Sequence, residues 1–582
     1  MVTKKSLFLL LIPFLIIFLS RCANPVTPQG GHKDIRPPKI IACDPPNLTT
    51  HFQSRRIKIT FDEFVQFKDV RNQITISPPL LPKTDFSLHA KSLLIKFNDS
   101  LKANTTYSII FGEAISDLTE NNILHNFNYV FTTGAYIDSL TLQGKIIDAL
   151  NLTPQKDVYA MLYANENDTI PFDSLPYLVR PYYLAKTNEN GEFIFHNLRN
   201  VPYKLFALKD MNGDFLYNLA TEKIAFCDSL ARGTYVLPES PDSLNKKDTL
   251  VKIDTLVKKD TTLHFLSTIP SYSLRLFDQV DSTQKLLRSD LVQEGEVRLI
   301  FRFPTKKPVF IPINFTPDGK WVMEEFSKKK DTVFLWLTKV ATDSLILKIT
   351  DYGNKTDTAI IDLKTKSKKK TSGKKANEKP EPLRLTQNIW ENKLNQFKSD
   401  LEISFSYPVS RYSFSKIVVI SGKDTLKPKV SFFDSIRKKI QIKEKWKEEQ
   451  NYRVIIPDST FFSINELAND SLVTDFKTRA AKEFGTFKVN ITMDRKPGNY
   501  IIQLLDEKEK VLEERLIDKP GKLQFDYLLP GKYKLKAILD QNQNGQWDSG
   551  IYLKHIQPEE VFYFPKTIEV RGNWDIDEPW PL

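Results

Sequence analysis

Apolar and polar residues alternate one for one through many short stretches of this chain, and that period confines it to β structure. RIKITF (Arg56–Phe61), SLLIKF (Ser92–Phe97) and GEFIF (Gly191–Phe195) are three examples. Successive side chains of a strand point to opposite faces, so strict alternation produces one apolar face and one wet face. A helix needs a 3.6-residue period, and no long segment shows one. The expected fold class is therefore all-β. At 582 residues the chain is too long for one core, so several β-sandwich domains joined by polar linkers are expected.

Charge raises a different question. The formal net charge of +12 would suit a nucleic-acid partner. Its densest part, KTKSKKKTSGKK (Lys364–Lys375), carries no aromatic residue for base stacking and separates two strand-rich regions. Blocks of like charge are usually solvated, so residues 364–381 read as a basic linker, and no nucleic acid is expected as a partner. A second polar stretch with paired DTLV units, residues 239–261, reads as another linker or an inserted hairpin. Positive charge still leaves contact with anionic lipid or polysaccharide open.

The N-terminus has the parts of an export signal. MVTKK is basic, and Ser6–Ser20 is apolar throughout but shorter than the roughly 20 residues of a membrane span. Leu19-Ser20-Arg21-Cys22 follows and resembles a lipobox, in which the Cys thiol is acylated and the preceding bond is cut. Arg21 departs from that pattern, which has a small residue there. The resemblance implies a signal peptide over 1–21, lipidation of Cys22, and attachment to a membrane through that lipid. Residues 22–37 are rich in Pro and Gly and read as a tether. Ala23, in place of the Asp that resembles an inner-membrane retention signal, favours the outer membrane over the inner.

Five blocks follow the tether. Residues 38–135 carry Phe61, Asp62 and Val65 in one strand motif, then Leu101, Asn104, Thr105 and Tyr107 in another. Asp117 and Asn121 mark a turn, and Phe131 to Gly134 close the block as FTTG. This order resembles the bacterial Ig-like domain family named after an S-layer protein, which implies a β-sandwich of the Gram-negative cell envelope and no particular reaction. Residues 138–238 hold LTLQGKIIDA, GEFIFHNL and VPYKLFALKD, and resemble the β-sandwich modules related to the carboxypeptidase regulatory domain. Residues 262–363 are strand-like and resemble no named family. Residues 382–480 look like a diverged copy of the first block: LEISFSYPV parallels RIKITFDEFV, and TDFKTR parallels YVFTTG. Residues 484–572 repeat the second block, with GKLQFDYLLPGKYKLKAILD (Gly521–Asp540) parallel to GEFIFHNLRNVPYKLFALKD (Gly191–Asp210). Residues 573–582 read as a tail too short for a core of its own.

Chemistry is sparse. Asp540, Asn542, Asn544 and Asp548 alternate oxygen-bearing side chains around Gly545, as in the first half of a calcium loop. Ile551 stands where such a loop would have its bidentate Glu, and the same residues suit an Asx-rich turn. Asp210–Asp214 is a shorter copy. Seven histidines are scattered with no zinc-type spacing, and neither G-x-S-x-G nor a P-loop occurs. Cys43 and Cys227 are expected to be buried free thiols. Asp-Ser/Thr-apolar triplets, such as Asp138-Ser139-Leu140 and Asp424-Thr425-Leu426, resemble an O-glycosylation acceptor motif, and equally suit turns before strands. The expected function is a lipid-anchored envelope scaffold without catalysis, in contact with envelope proteins or polysaccharide. The alternative is a carbohydrate-binding or carbohydrate-processing surface lipoprotein, motivated by the aromatic-rich sandwiches.

Overall fold

The computed structural model describes residues 33–80, 84–125, 127–164, 170–235, 271–279, 284–306, 308–317, 319–338, 340, 342–351, 355–364, 381–494 and 496–582. The signal peptide over 1–21, Cys22, most of the tether, the 239–261 linker and most of the 364–381 linker lie outside these residues. The fold is all-β. No helix among the described residues is long and apolar enough to cross a membrane. The chain divides into two compact units. The first runs to Gln279 and includes Ser549–Pro558; the second holds Val280–Asp548 and Glu559–Leu582.

The first unit opens with an Ig-like sandwich. Its strands are β1 (Ile40–Asp44), β2 (Arg56–Phe61), β3 (Val65–Phe67), β4 (Thr75–Ser77), β5 (Asp85–His89), β6 (Ser92–Lys96), β7 (Thr106–Ile110), β8 (Ile115–Asp117) and β9 (Asn128–Thr132). One sheet has the order β1-β2-β6-β5 and the other β4-β7-β9, with β3 paired to β8. Alternation explains the packing. Ile57, Ile59 and Phe61 are buried while Arg56 and Lys58 face water. Within one sheet, Phe131 on β9 lies opposite Tyr107 on β7, and the two rings stack inside the core. Each such apolar side chain contributes ~1.5–3 kcal/mol on burial. Asp117 holds the turn after β8 by accepting the backbone N–H groups of Glu120, Asn121 and Asn122. Asn121 can therefore sit at φ +65°, a region that Asn tolerates better than most residues.

The second sandwich contains β10 (Leu140–Asp148), β11 (Tyr159–Ala164), β12 (Tyr183–Lys186), β13 (Glu192–Leu198), β14 (Tyr203–Lys209), β15 (Lys223–Phe226) and β16 (Ser271–Asp278), in the order β12-β11-β14-β15-β16-β10-β13. Here the structure corrects the sequence reading. β16 was expected in the 262–363 block, yet it runs parallel to β10, with Gln143 opposite Ser271, and buries Leu274 and Leu276 in this core. Gly144 explains part of the close approach, because a Cβ there would meet the Phe193 ring and the Tyr272 carbonyl.

The second unit holds three sandwiches. In the first, sheets over Leu286–Leu337 and Val309–Asp362 enclose Leu299, Leu335 and Leu347. The next, from Leu385 to Thr478, repeats the Ig-like pairing strand for strand. It adds a hairpin strand, Asp424–Leu426, beside Val418–Ser421, the counterpart of β4. The last repeats the second sandwich. Gly485–Thr492 pairs antiparallel with Gly521–Leu528 and parallel with Asp575–Pro581, as β10 pairs with β13 and β16. The supposed tail 573–582 is thus that module's closing strand. Trp580 and Leu582 are buried in its core, where an isolated decapeptide would have had nothing to pack against.

Candidate functional site

The loop expected to bind calcium begins where the strand Gly531–Leu539 ends. Asp540 is buried and accepts the N–H groups of Asn544 (3.1 Å) and Gly545 (2.9 Å), bending the chain back on itself. Gly545 lies at φ +76°, where a side chain would be strained. The Asn542 and Asn544 amides both donate to Asp548 Oδ2. The structure thus brings all four expected residues together, as a hydrogen-bonded turn with amide nitrogens against the Asp548 carboxylate. One participant was missed. Glu559, buried beneath the loop, accepts from Gln541 N–H (2.8 Å) through Oε1 and from Asp548 N–H (3.0 Å) through Oε2. Burial pushes its carboxyl up, against the pull of those two donors.

The earlier copy has the same plan. Asp210 accepts from Asn212, Gly213 and Phe215. Buried Glu222 accepts from Met211, Asn218 and Leu219. Asn218 stands where Asp548 does. A signal for both glutamates was present in the sequence: each lies just before the strand that follows its loop, in TEKIAF and PEEVFY. Three residues separate Asn218 from Glu222 and ten separate Asp548 from Glu559, so the later loop is seven longer (10 − 3).

Those extra residues fall within Ser549–Pro558, which belongs to the first unit. Tyr552 is buried there; its hydroxyl donates to the Phe172 carbonyl (2.7 Å), and its ring lies 5.5 Å from Phe226 and 5.9 Å from Phe206. Gly550 rests on the Phe277 ring, where a Cβ would collide, and His555 pairs with Asp173.

A groove of about 480 Å³ opens in the second Ig-like module, lined in part by Asn392, Ile420, Arg453, Asp475 and Lys477. Its carboxylate is already engaged. Arg453 donates Nε to Asp475 Oδ1 (2.6 Å) and Nη2 to Oδ2 (2.8 Å). Those bonds hold the Asp475 carboxyl below its usual range, which suits a structural ion pair and not a proton donor at neutral pH.

Other expected positions are dispersed. Cys43 and Cys227 are free thiols, half-buried instead of buried, and burial pushes the Cys43 thiol up, away from a reactive thiolate. Among the described residues, no three His, Cys, Asp or Glu side chains are grouped to hold a metal. The most exposed tryptophans among them, Trp390 and Trp574, lie in different modules, and Arg571 covers the Trp574 ring at 4.8 Å. Ser139 and Thr425, in two of the acidic-hydroxyl triplets, are exposed.

Residues 34–133 match the bacterial Ig-like domain family. No curated protein sequence matches the chain. Among solved structures, the major pilin subunit BcpA of Bacillus cereus is similar at 9% identity over 76% of this chain and 99% of that one, with a TM-score of 0.14. The S-layer protein rSbsC(31-844) is similar at 10% identity over 91% and 67%, with a TM-score of 0.13. An L,D-transpeptidase from Mycobacterium smegmatis is similar at 12% identity over 26% and 74%, with a TM-score of 0.13. The chain therefore carries a bacterial Ig-like domain at its start, in an all-β architecture.

Proposed function

We propose that this protein is an outer-membrane lipoprotein, anchored through Cys22, whose sandwich modules form a non-catalytic scaffold for envelope proteins or polysaccharide. The observation that carries the scaffold reading is how successive modules are joined inside each unit. In the first unit, Thr106 Oγ1 donates to Asp138 (2.8 Å), Leu184 N–H donates to Ser77 Oγ (2.9 Å), and Lys102 lies 4.7 Å from the Tyr182 ring. In the second, buried Trp336 donates to Glu325 (2.9 Å), and Lys438 from the next module pairs with the same carboxylate (2.9 Å) over the Trp336 ring. One junction further on, Phe397 stacks on Tyr527 with centroids 4.6 Å apart, while Glu483 pairs with Lys393 and Arg479. Contacts of this kind resist bending between neighbours, as a spacer requires and a set of independent binding domains does not.

The anchor is tested by palmitate labelling. Wild type is expected to label and Cys22→Ala to lose the label; equal labelling overturns the assignment. The binding role is tested on a glycan array, where ligands for the intact protein would move the reading towards carbohydrate recognition. Calcium at Asp540, Asn542, Asn544 and Asp548 belongs to the same proposal, as a stabiliser of the loop. It is supported by the alternating oxygen side chains and the Gly545 turn. Calorimetric titration without heat, together with an unchanged melting temperature, removes it. Modification at Ser139 or Thr425 is read from the intact mass of protein purified from its host, and an unmodified mass removes that idea.

A further inference from the structure

The two Ig-like modules put one sheet face to different uses. In the first, Tyr107 and Phe131 point into the core, so Thr106, Ser108, Val130 and Thr132 lie on the outer face of the β4-β7-β9 sheet. All four are buried there. The second sandwich and the segment leading into it supply the cover: Ser77 Oγ accepts the Leu184 N–H, Thr106 donates to Asp138, and Ser108 donates to Asn197. In the second Ig-like module the matching strands are Asn451–Ile456 and Leu472–Thr478, with Tyr452 and Phe476 in the core. The register is the same. Asn451 stands for Thr106, Arg453 for Ser108, Asp475 for Val130 and Lys477 for Thr132. These four are exposed, and they form the floor of the 480 Å³ groove. Gly422, at its rim, leaves open space where a side chain would stand.

The chemistry of this floor selects among ligands. Asn451–Ile456 and Leu472–Thr478 are each paired on both sides, so the floor offers no backbone ladder to an extended peptide. A stable protein interface is apolar at its centre, and here charges and amides hold the centre. The Asn392 and Asn451 side chains can each donate and accept. Arg453 gives Nε and one Nη2 hydrogen to Asp475 and keeps its other N–H groups, while each Asp475 oxygen keeps a lone pair. Donors and acceptors alternating at this spacing suit the hydroxyls of a sugar, with Ile420 as an apolar wall for ring carbons. The Arg453 and Asp475 charges cancel. Lys477, which makes no ion pair among the described residues, leaves the floor positive.

We propose that this groove binds a carboxylate-bearing saccharide, with the carboxylate on Lys477 and hydroxyls on the Arg453–Asp475 pair and the two asparagines. The proposal rests on the polysaccharide part of the proposed function and gives it a site and a ligand class. The first Ig-like module has no such site, because its equivalent face carries small side chains and is filled by its neighbour. An ammonium–carboxylate contact is charge-assisted and stronger than a neutral hydrogen bond, so it should set the preference for an acidic sugar.

The test titrates an oligogalacturonate calorimetrically into the full chain in detergent, with its methyl ester as the uncharged match. The acid form is expected to bind, and the ester at least about tenfold more weakly. Lys477→Ala should weaken binding of the acid form at least about tenfold. Lys429→Ala removes an equal charge from an exposed position on the module's other sheet, and should weaken it by less than about twofold. Both variants should melt with wild type, since each changes an exposed side chain. Binding that Lys477→Ala leaves intact, or equal binding of acid and ester, overturns this site while the polysaccharide reading stands. Absence of binding by either form also overturns the proposal, and an array blank for every glycan removes the polysaccharide reading with it.

Discussion

The second sandwich, opened by β10, and the last one, opened by Gly485–Thr492, share a strand plan and differ in what has been added to it. Both open with a long strand that pairs antiparallel with a later hairpin strand and parallel with the module's last strand. Both close a turn over a buried glutamate. In the first, residues 227–270 separate the last two strands, and its edge strand is short and covered. In the second, the glutamate-backed loop is seven residues longer, and the edge strand is long and bare. The shared part is what a sandwich needs in order to close its core. The differing parts lie at loops and edges, where insertions cost little closure entropy and function is usually carried.

The largest effects should come from the parts that close each core. Trp580→Ala should destabilise the second copy by ~3–5 kcal/mol, and Leu276→Ala the first by ~2–5 kcal/mol, read from urea unfolding of the full chain. If truncation after residue 572 left unfolding unchanged, the parallel closing strand would be discarded. Tyr552→Ala should cost about as much as Trp580→Ala, ~3–5 kcal/mol, because it empties an aromatic site in the first unit. Tyr552→Phe keeps the ring and loses only the bond to the Phe172 carbonyl, so a cost of ~1 kcal/mol is expected.

Smaller effects should follow from the glutamates. Glu222→Ala and Glu559→Ala each remove a buried carboxylate that accepts loop backbone N–H groups and should cost ~1–3 kcal/mol in thermal or urea melts. A loss at one site and none at the other would break the equivalence of the loops. The smallest effect is a pH slope. Glu559 has its folded-state pKa raised by burial, so the fold holds that proton more tightly than the unfolded chain does. Its contribution is fully present below the unfolded carboxylate pKa and is lost as pH rises through the raised value. Glu559→Gln should flatten that slope in melts collected across the acid range.

Much of this could be read without a structure. The alternation in RIKITF placed Ile57, Ile59 and Phe61 inside, and they are buried. The Asx-rich loops were also visible, since Asp, Asn and Gly report turns by local chemistry. What escaped were partners. Glu222 and Glu559 lie outside the oxygen-bearing spacing that drew attention to the loops, and they matter because the backbone curls round them.

Sequence by itself determined the all-β class, the repeat of two module types and the face each strand buries. Side-chain period and turn residues act within a few positions of one another, so they are legible in a linear string. Tertiary structure decided module membership and edge exposure. Ser271–Asp278 pairs with β10 across a long intervening segment, and Asp575–Pro581 becomes a strand because Gly485–Thr492 offers it a free edge. Backbone hydrogen bonding between strands is almost blind to residue type. Which edge a distant strand takes, and which edge stays open, is settled only when the sheets pack.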